Sequence, residues 1–310
     1  MMLRSVNLEP KLQQLDLFLD SVPIQRANIL IEALTRLDGP AASKALQDLI
    51  AADPEFAGLP HFALLCAFVD HWHSEGRAWP GTREAVMAVV RSFQEQILPA
   101  TSILGSASGP WSRNRWADLA RASETANIGP ECRDCYAAEL YLRAQQYREV
   151  VRTAGSLAGA MYRADVQRWL ALGYQGCESM DQSRDAALRY SWLAPEAFGR
   201  LVTELGNALL MRDWRTFQAD LGDLDATWFP AWCAHEGKVG STLLDSLPEG
   251  DGPRAYQLVL GLMMRERSGL GPVVYQDRAR LKRLNETFFA FYMQRRADIH
   301  CSATRSFSAQ

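Results

Sequence analysis

The residues of this chain that could carry chemistry are few and widely spaced. Cys132-Arg133-Asp134-Cys135 has the separation that lets two thiolates take adjacent corners of a tetrahedral metal site or exchange with a disulfide. Cys233 and His235 could supply the other two ligands, about 100 residues further on. A structural zinc site normally shows both ligand pairs clearly, so small buried side chains at a helix start are the simpler reading of these cysteines. His71 and His73 flank Trp72, but two residues apart on a helix they point in different directions. Gly237-Lys238 lacks the strand and glycine spacing of a phosphate-binding loop, and Val239, not Ser or Thr, follows the lysine. No serine elbow and no HExxH helix occurs. Asp118, Glu124, Asp220 and Asp223 are spread as on any solvated helix face, and no catalytic residue is expected.

Two groups have the composition of recognition surfaces. Trp111, Arg113, Arg115 and Trp116 combine the side chains that dominate binding hot spots; the alternative is buried tryptophans with arginines in solvent. Arg278, Arg280, Lys282 and Arg283 could meet an acidic partner or simply coat a helix.

The background to these residues is an ordinary globular composition. With 48% hydrophobic residues and nine tryptophans in 310 residues, the chain can fill a substantial core. A formal charge of -3, from 33 basic and 36 acidic side chains, creates no global field that would draw it onto nucleic acid or anionic lipid. The first residues carry Arg4, Glu9, Lys11, Asp16 and Asp20 and so lack the apolar stretch of a secretory signal. The longest uncharged apolar run, Phe62 to Val69, is far short of the roughly 20 residues a spanning helix needs. Six cysteines are too sparse for a disulfide scaffold. The expectation is a cytoplasmic protein with reduced thiols, no cofactor, no nucleic-acid partner and no membrane. Lys11, Lys44, Lys238 and Lys282 are the only lysines, a bias that could mean interfaces rich in bidentate arginine pairs or, more simply, the codon usage of an expected bacterial host.

Helical periodicity runs through nearly the whole chain. Leu12, Leu15, Phe18 and Leu19 form one stripe, and Ile24, Ile29, Ile31, Leu34 and Leu37 a second that stops at Asp38-Gly39-Pro40. Helices are predicted over 42–53, 59–74 and from Thr82 to Pro99, and from Trp111 to about Ala126. Ala100 to Pro110, rich in Gly, Ser and Pro, reads as a linker. Leu281, Leu284, Phe288, Phe291 and Arg295 lie three and four apart, as on one terminal helix.

An internal echo lies in the middle third. Trp169, Leu172 and Gly173 are matched 33 residues later by Val202, Leu205 and Gly206. A turn-like triplet recurs as Gln145-Gln146-Tyr147, Met180-Asp181-Gln182 and Arg212-Asp213-Trp214, with Pro195 and Pro230 a further 35-residue pair. A period of this length is that of stacked helix pairs. The Trp-x-x-Leu-Gly arrangement resembles the first helix of a tetratricopeptide repeat, and the resemblance covers roughly residues 131–230. It departs where the family has a small residue on the second helix, since Val150, Asp185 and Phe217 stand there.

The expected fold is therefore all-α, of stacked antiparallel helix pairs with little or no β-sheet. The expected organisation is an N-terminal helical domain over 1–99, a linker over 100–110, a repeat domain with a C-terminal capping helix over 111–295, and a tail over 296–310. The resemblance implies a non-enzymatic adaptor or scaffold that holds a peptide or helix of another protein, with Tyr141, Arg168 and Asn207 lining the groove. The alternative is an all-helical enzyme, or a metal- or redox-dependent accessory protein, that uses Cys132 and Cys135.

Overall fold

The computed structural model describes residues 21–74, 82–239, 247–266 and 271–294. All regular structure among them is helical, and none of these helices is long and apolar enough to cross a membrane. The first apolar stripe, Leu12 to Leu19, and the terminal tail lie outside the described residues. The chain divides after Gln146 into two compact units, Met1–Gln146 and Tyr147–Gln310. In each, helices pack chiefly against their neighbours in the chain, the contact pattern of a solenoid.

The described part of the first unit opens with α1 (Val22–Thr35), α2 (Gly39–Ala52) and α3 (Leu59–Ser74). Asp38 caps α2 by accepting the Ala41 N–H at 3.1 Å, and Pro40 stands in its first turn, where a missing donor costs nothing. The buried face of α1 is Ala27, Leu30, Ala33 and Leu34. Ile29, assigned to that face from the sequence, is exposed, while Leu30 beside it is buried, and the helix packed against α1 buries its own small residues Ala42 and Ala45.

Thr82 caps α4 (Arg83–Ser92), which runs through a π-turn, Phe93–Ile97, and a single turn, Leu98–Ala100. The segment expected as a linker is a packed corner. Thr101–Ala107 forms two 3-10 turns kinked at Gly105, where φ is 57°, with Thr101 and Leu104 buried, and α5 (Ser108–Thr125) starts directly after them. The polar side chains that suggested a loop satisfy one another instead. Thr101 Oγ1 donates to the Leu98 carbonyl at 2.7 Å, and Ser108 Oγ donates to Thr101 Oγ1 at 2.8 Å. A 3-10 turn at Arg133–Cys135 then leads into α6 (Ala137–Arg143).

The second unit contains α7 (Tyr147–Gly155), α8 (Ala164–Gly176), α9 (Met180–Leu193), α10 (Pro195–Leu205), α11 (Ala208–Leu221), α12 (Phe229–His235), α13 (Asp251–Glu266) and α14 (Pro272–Leu284). α8 packs against both α7 and α9 and touches α10, one pair further along. Gly173 permits the close approach of α7: a β-carbon there would lie 2.9 Å from Val151 Cγ2. Phe198, Trp214, Phe217, Phe229 and Trp232 form a continuous ring cluster, with centroids 5.0 Å apart for Phe198 and Trp214 and 5.3 Å for Trp214 and Phe229.

The 33-residue echo does not mark equivalent positions. Leu172 and Gly173 lie inside α8, whereas Leu205 ends α10 and Gly206 is its left-handed cap at φ 63°. Of the three turn-like triplets, the first closes a turn, the second is the first turn of α9, and Arg212-Asp213-Trp214 lies within α11. Pro195 and Pro230 open helices rather than close them.

What recurs is a backbone device. Leu37, Gln145, Glu178 and Gly206 all have positive φ, and each stands two residues before the next helix begins. At Glu178 the N–H meets the Gln175 carbonyl at 3.0 Å and the Ser179 N–H meets the Tyr174 carbonyl at 2.9 Å. Leu37 and Asp38 make the same pair of bonds to Leu34 and Ala33. At Leu37, Gln145 and Glu178 this is a Schellman closure, which satisfies the last carbonyls of one helix while aiming the chain at the next, and Gly206 makes a simpler left-handed cap with its N–H on the Thr203 carbonyl.

The C-terminal helix expected through Leu281 and Phe291 is two. Asn285 is extended at φ -161°, ending α14, and its Oδ1 caps a new helix over 286–294 by accepting the Phe288 N–H at 2.8 Å.

Candidate functional site

The strongest site candidate lies in the second unit, between α13 and α14. Each helix presents a stripe at spacings of four, three and four: Arg254, Leu258, Gly261 and Arg265 on α13, and Val273, Asp277, Arg280 and Leu284 on α14. The opposite stripe of α13, Ala255, Tyr256, Val259 and Leu262, is buried, with Tyr256 edge-on to Trp192 at 5.4 Å. One face of α13 is thus anchored and the next is left to line an open groove of about 690 Å³.

The groove has an aliphatic floor and a guanidinium rim. Asp277 is buried and shared: Arg265 donates to one carboxylate oxygen and Arg280 Nη1 to the other at 3.1 Å. Arg254 reaches Asp251 only at 3.9 Å, and Arg283 Nε donates to the Ala279 carbonyl at 3.4 Å, with no carboxylate partner among the described residues. Four arginines and one aspartate therefore line the groove, and two of the arginines bind the aspartate. Beside them Glu266 accepts from Arg278 Nη2 at 2.9 Å and from the Tyr292 hydroxyl at 2.7 Å, which ties the 286–294 helix to the hairpin.

A second polar group braces the unit. Asp213 of α11 is buried; Arg184 Nη2 of α9 donates to its Oδ2 at 3.0 Å, and Lys238 Nζ to its Oδ1 at 2.9 Å. Burial alone would raise the Asp213 carboxyl, but hydrogen bonds from Lys238 and Arg184 outweigh it and hold the carboxyl below its ordinary value. The Lys238 ammonium also lies 4.4 Å from the centre of the Trp232 ring. This is the environment of the Gly-Lys pair: an internal brace.

The residues singled out from sequence take structural positions. Tyr141, expected in a groove, is buried, and its hydroxyl donates to Glu124 Oε2 at 2.8 Å. Arg168 Nε donates to Glu204 Oε2 at 3.0 Å, bridging α8 and α10. Asn207 caps α11, its Oδ1 accepting the Leu209 and Leu210 N–H groups at 3.0 Å. Trp111 is buried, with Nε1 donating to the Leu34 carbonyl at 3.1 Å and its ring against Phe68 and Phe93. Arg115, expected in solvent or on a patch, is buried too: it pairs with Asp118 at 2.7 Å and stacks over Trp72 at 4.9 Å. Arg113 remains half-exposed.

The cysteines are divided between the units, Cys132 and Cys135 in the first, Cys233 and His235 in the second. Burial pushes the Cys66, Cys135 and Cys233 thiols up to about 12, so they are protonated at neutral pH. Cys233 sits 3.7 Å from Arg184 Nη2 and His235 packs against Tyr292 and Phe291. Among the described residues no group of three or more His, Cys, Asp or Glu is placed to hold a metal ion. His73 and residues 240–246, after the Gly-Lys pair, fall outside the described side chains.

Sequence reading missed Arg254 and Arg265. Their signal was present in the matched four-three-four spacing of the two helices, which becomes meaningful once α13 and α14 are known to pair. Fold and site together define an all-α protein of helices stacked on their chain neighbours, with a cationic groove on its last hairpin. No family model matches the chain, and no curated protein or solved structure matches it either.

Proposed function

We propose that this protein is a non-enzymatic adaptor that holds a segment of another protein on its helical surface, as a stacked-helix scaffold of the bacterial cytoplasm. The observation that carries this reading is the open groove between α13 and α14, of about 690 Å³, built from two regular helix stripes on an anchored hairpin. Such a groove suits an extended or helical peptide, with side chains meeting it at one-turn intervals. The stacking of helices on their chain neighbours supports the same reading, because it leaves the outer stripes of successive helices available to a partner. The engagement of Tyr141 in the core moves the proposed contact surface from the middle helices to the last hairpin.

The alternative based on Cys132 and Cys135 gains no support from a Cys135 thiol raised to about 12.

The test is photo-crosslinking of the full chain in its source organism, with the crosslinker placed in turn at Gln257, Arg280 and Asn207. The expected result is one partner protein that, once purified, forms a stoichiometric complex with this chain. Absence of any crosslinked partner at all three positions would remove the adaptor reading.

A further inference from the structure

The groove of α13 and α14 has a charge that selects among partners. Two of its guanidiniums, Arg265 and Arg280, are already held by the buried Asp277, which fixes them at the groove wall. Arg254 and Arg283 are exposed at the rim, Arg254 in a long, solvent-exposed ion pair with Asp251 at 3.9 Å and Arg283 bonded to the Ala279 carbonyl. Between them the floor is aliphatic: Leu258 and Leu284 are partly buried, and Val273 is 52% exposed. A ligand matching this surface places apolar side chains on the floor and carboxylates against the rim.

Resting on the adaptor reading, we infer that the groove docks an acidic amphipathic helix of a partner protein. Arginine favours this occupant, because its planar fork grips a carboxylate with two parallel bonds. A helix laid along the groove returns its apolar face every three or four residues, the spacing at which Leu258, Gly261 and Arg265 follow one another. Asp277 offsets only one of the two guanidiniums it binds, so the wall as well as the rim keeps positive charge for the carboxylates of a guest helix. Nucleic acid fits less well. A single strand needs aromatic faces on which to stack its bases, and the lining residues include none.

The experiment uses the full chain and a fluorescein-labelled peptide of about 16 residues, long enough to form a helix on the surface, with leucines along one face and glutamates elsewhere. A second peptide replaces every glutamate by glutamine. By fluorescence anisotropy the glutamate peptide should bind about tenfold or more tightly than the glutamine one, and high salt should weaken it several-fold. The double variant Arg254→Glu/Arg283→Glu, altered only at exposed rim positions, should lose about tenfold or more in affinity while melting at the wild-type temperature. Equal affinity for the two peptides, salt-independent binding by the wild type, or wild-type affinity in a folded double variant would overturn the inference. So would displacement of the peptide by a single-stranded oligonucleotide at lower concentration. A partner crosslinked at Asn207 but indifferent to the double variant would sink the groove while leaving the adaptor reading intact.

Discussion

Asp213 offers the sharpest test of what holds the second unit together. Replacing it by alanine leaves the Arg184 guanidinium and the Lys238 ammonium facing each other without the carboxylate both of them bind. Removal of one partner from a buried ion pair costs about 3–5 kcal/mol. The Arg184 and Lys238 side chains are 22% and 26% exposed, so water takes up part of their solvation and the low end applies. Asp213→Ala should therefore destabilise by about 3 kcal/mol, or lower the melting temperature by about 6–12 °C in a unit of this size. Urea denaturation followed by tryptophan fluorescence measures it, with Trp232 reporting from under Lys238. Adding Arg184→Met removes one stranded charge and should restore about 1 kcal/mol. The pH dependence has a definite sign. The folded carboxyl lies below its unfolded value, so its contribution is complete above about pH 4, the unfolded range, and is lost as pH falls through the folded value. Wild type should lose stability below that point more steeply than Asp213→Asn. An alanine variant within about 1 kcal/mol of wild type, or parallel acid profiles, would refute the brace, since uncompensated buried charge cannot be so cheap.

Other consequences are open to direct measurement. Glu178→Gly should stabilise by about 0.5–1 kcal/mol, because an exposed side chain at φ 61° is relieved of left-handed strain; Gly206→Ala should destabilise by about 1 kcal/mol for the converse reason. Chemical denaturation of the two variants should move the midpoint in opposite directions. Trp111→Phe keeps a ring against Phe68 and Phe93 but abandons the Leu34 carbonyl, at a cost of about 1–2 kcal/mol in the same assay. Cys66, Cys135 and Cys233, with thiols at about 12, should resist iodoacetamide at pH 8 in the native protein and react in guanidinium, as peptide mapping by mass spectrometry would reveal.

The all-α class was legible because apolar spacing survives any rearrangement of helices, and bounds such as Leu59–Ser74 follow directly from where the apolar residues stop. Register was harder. Ile29 and Leu30 are both apolar neighbours on α1, and only the packing of the helix against its partners shows that Leu30 is the buried one. The linker expected at Ala100–Pro110 failed for a related reason: serine and threonine that mark loops in isolation bond to carbonyls or to one another in a packed 3-10 corner. The echo at Leu172 and Leu205 misled because glycine serves two ends, close approach of α7 at position 173 and a left-handed cap at position 206. Of the groove, the basic residues of α14 were visible as a cluster, while their complement on α13 depended on a pairing that no single helix reveals. Tyr141 and Arg115 were read as surface groups because polar atoms suggest exposure, yet each carries its own partner into the interior, Glu124 and Asp118.

The joints at Leu37, Gln145 and Glu178 are made by main-chain groups, and the side chains at those positions range from aliphatic to amide to carboxylate. An architecture hinged this way can change nearly every letter at its corners and keep its shape. Ancestry in such a molecule would be recorded in the lengths of its rods and the rhythm of its bends, with little trace in the alphabet.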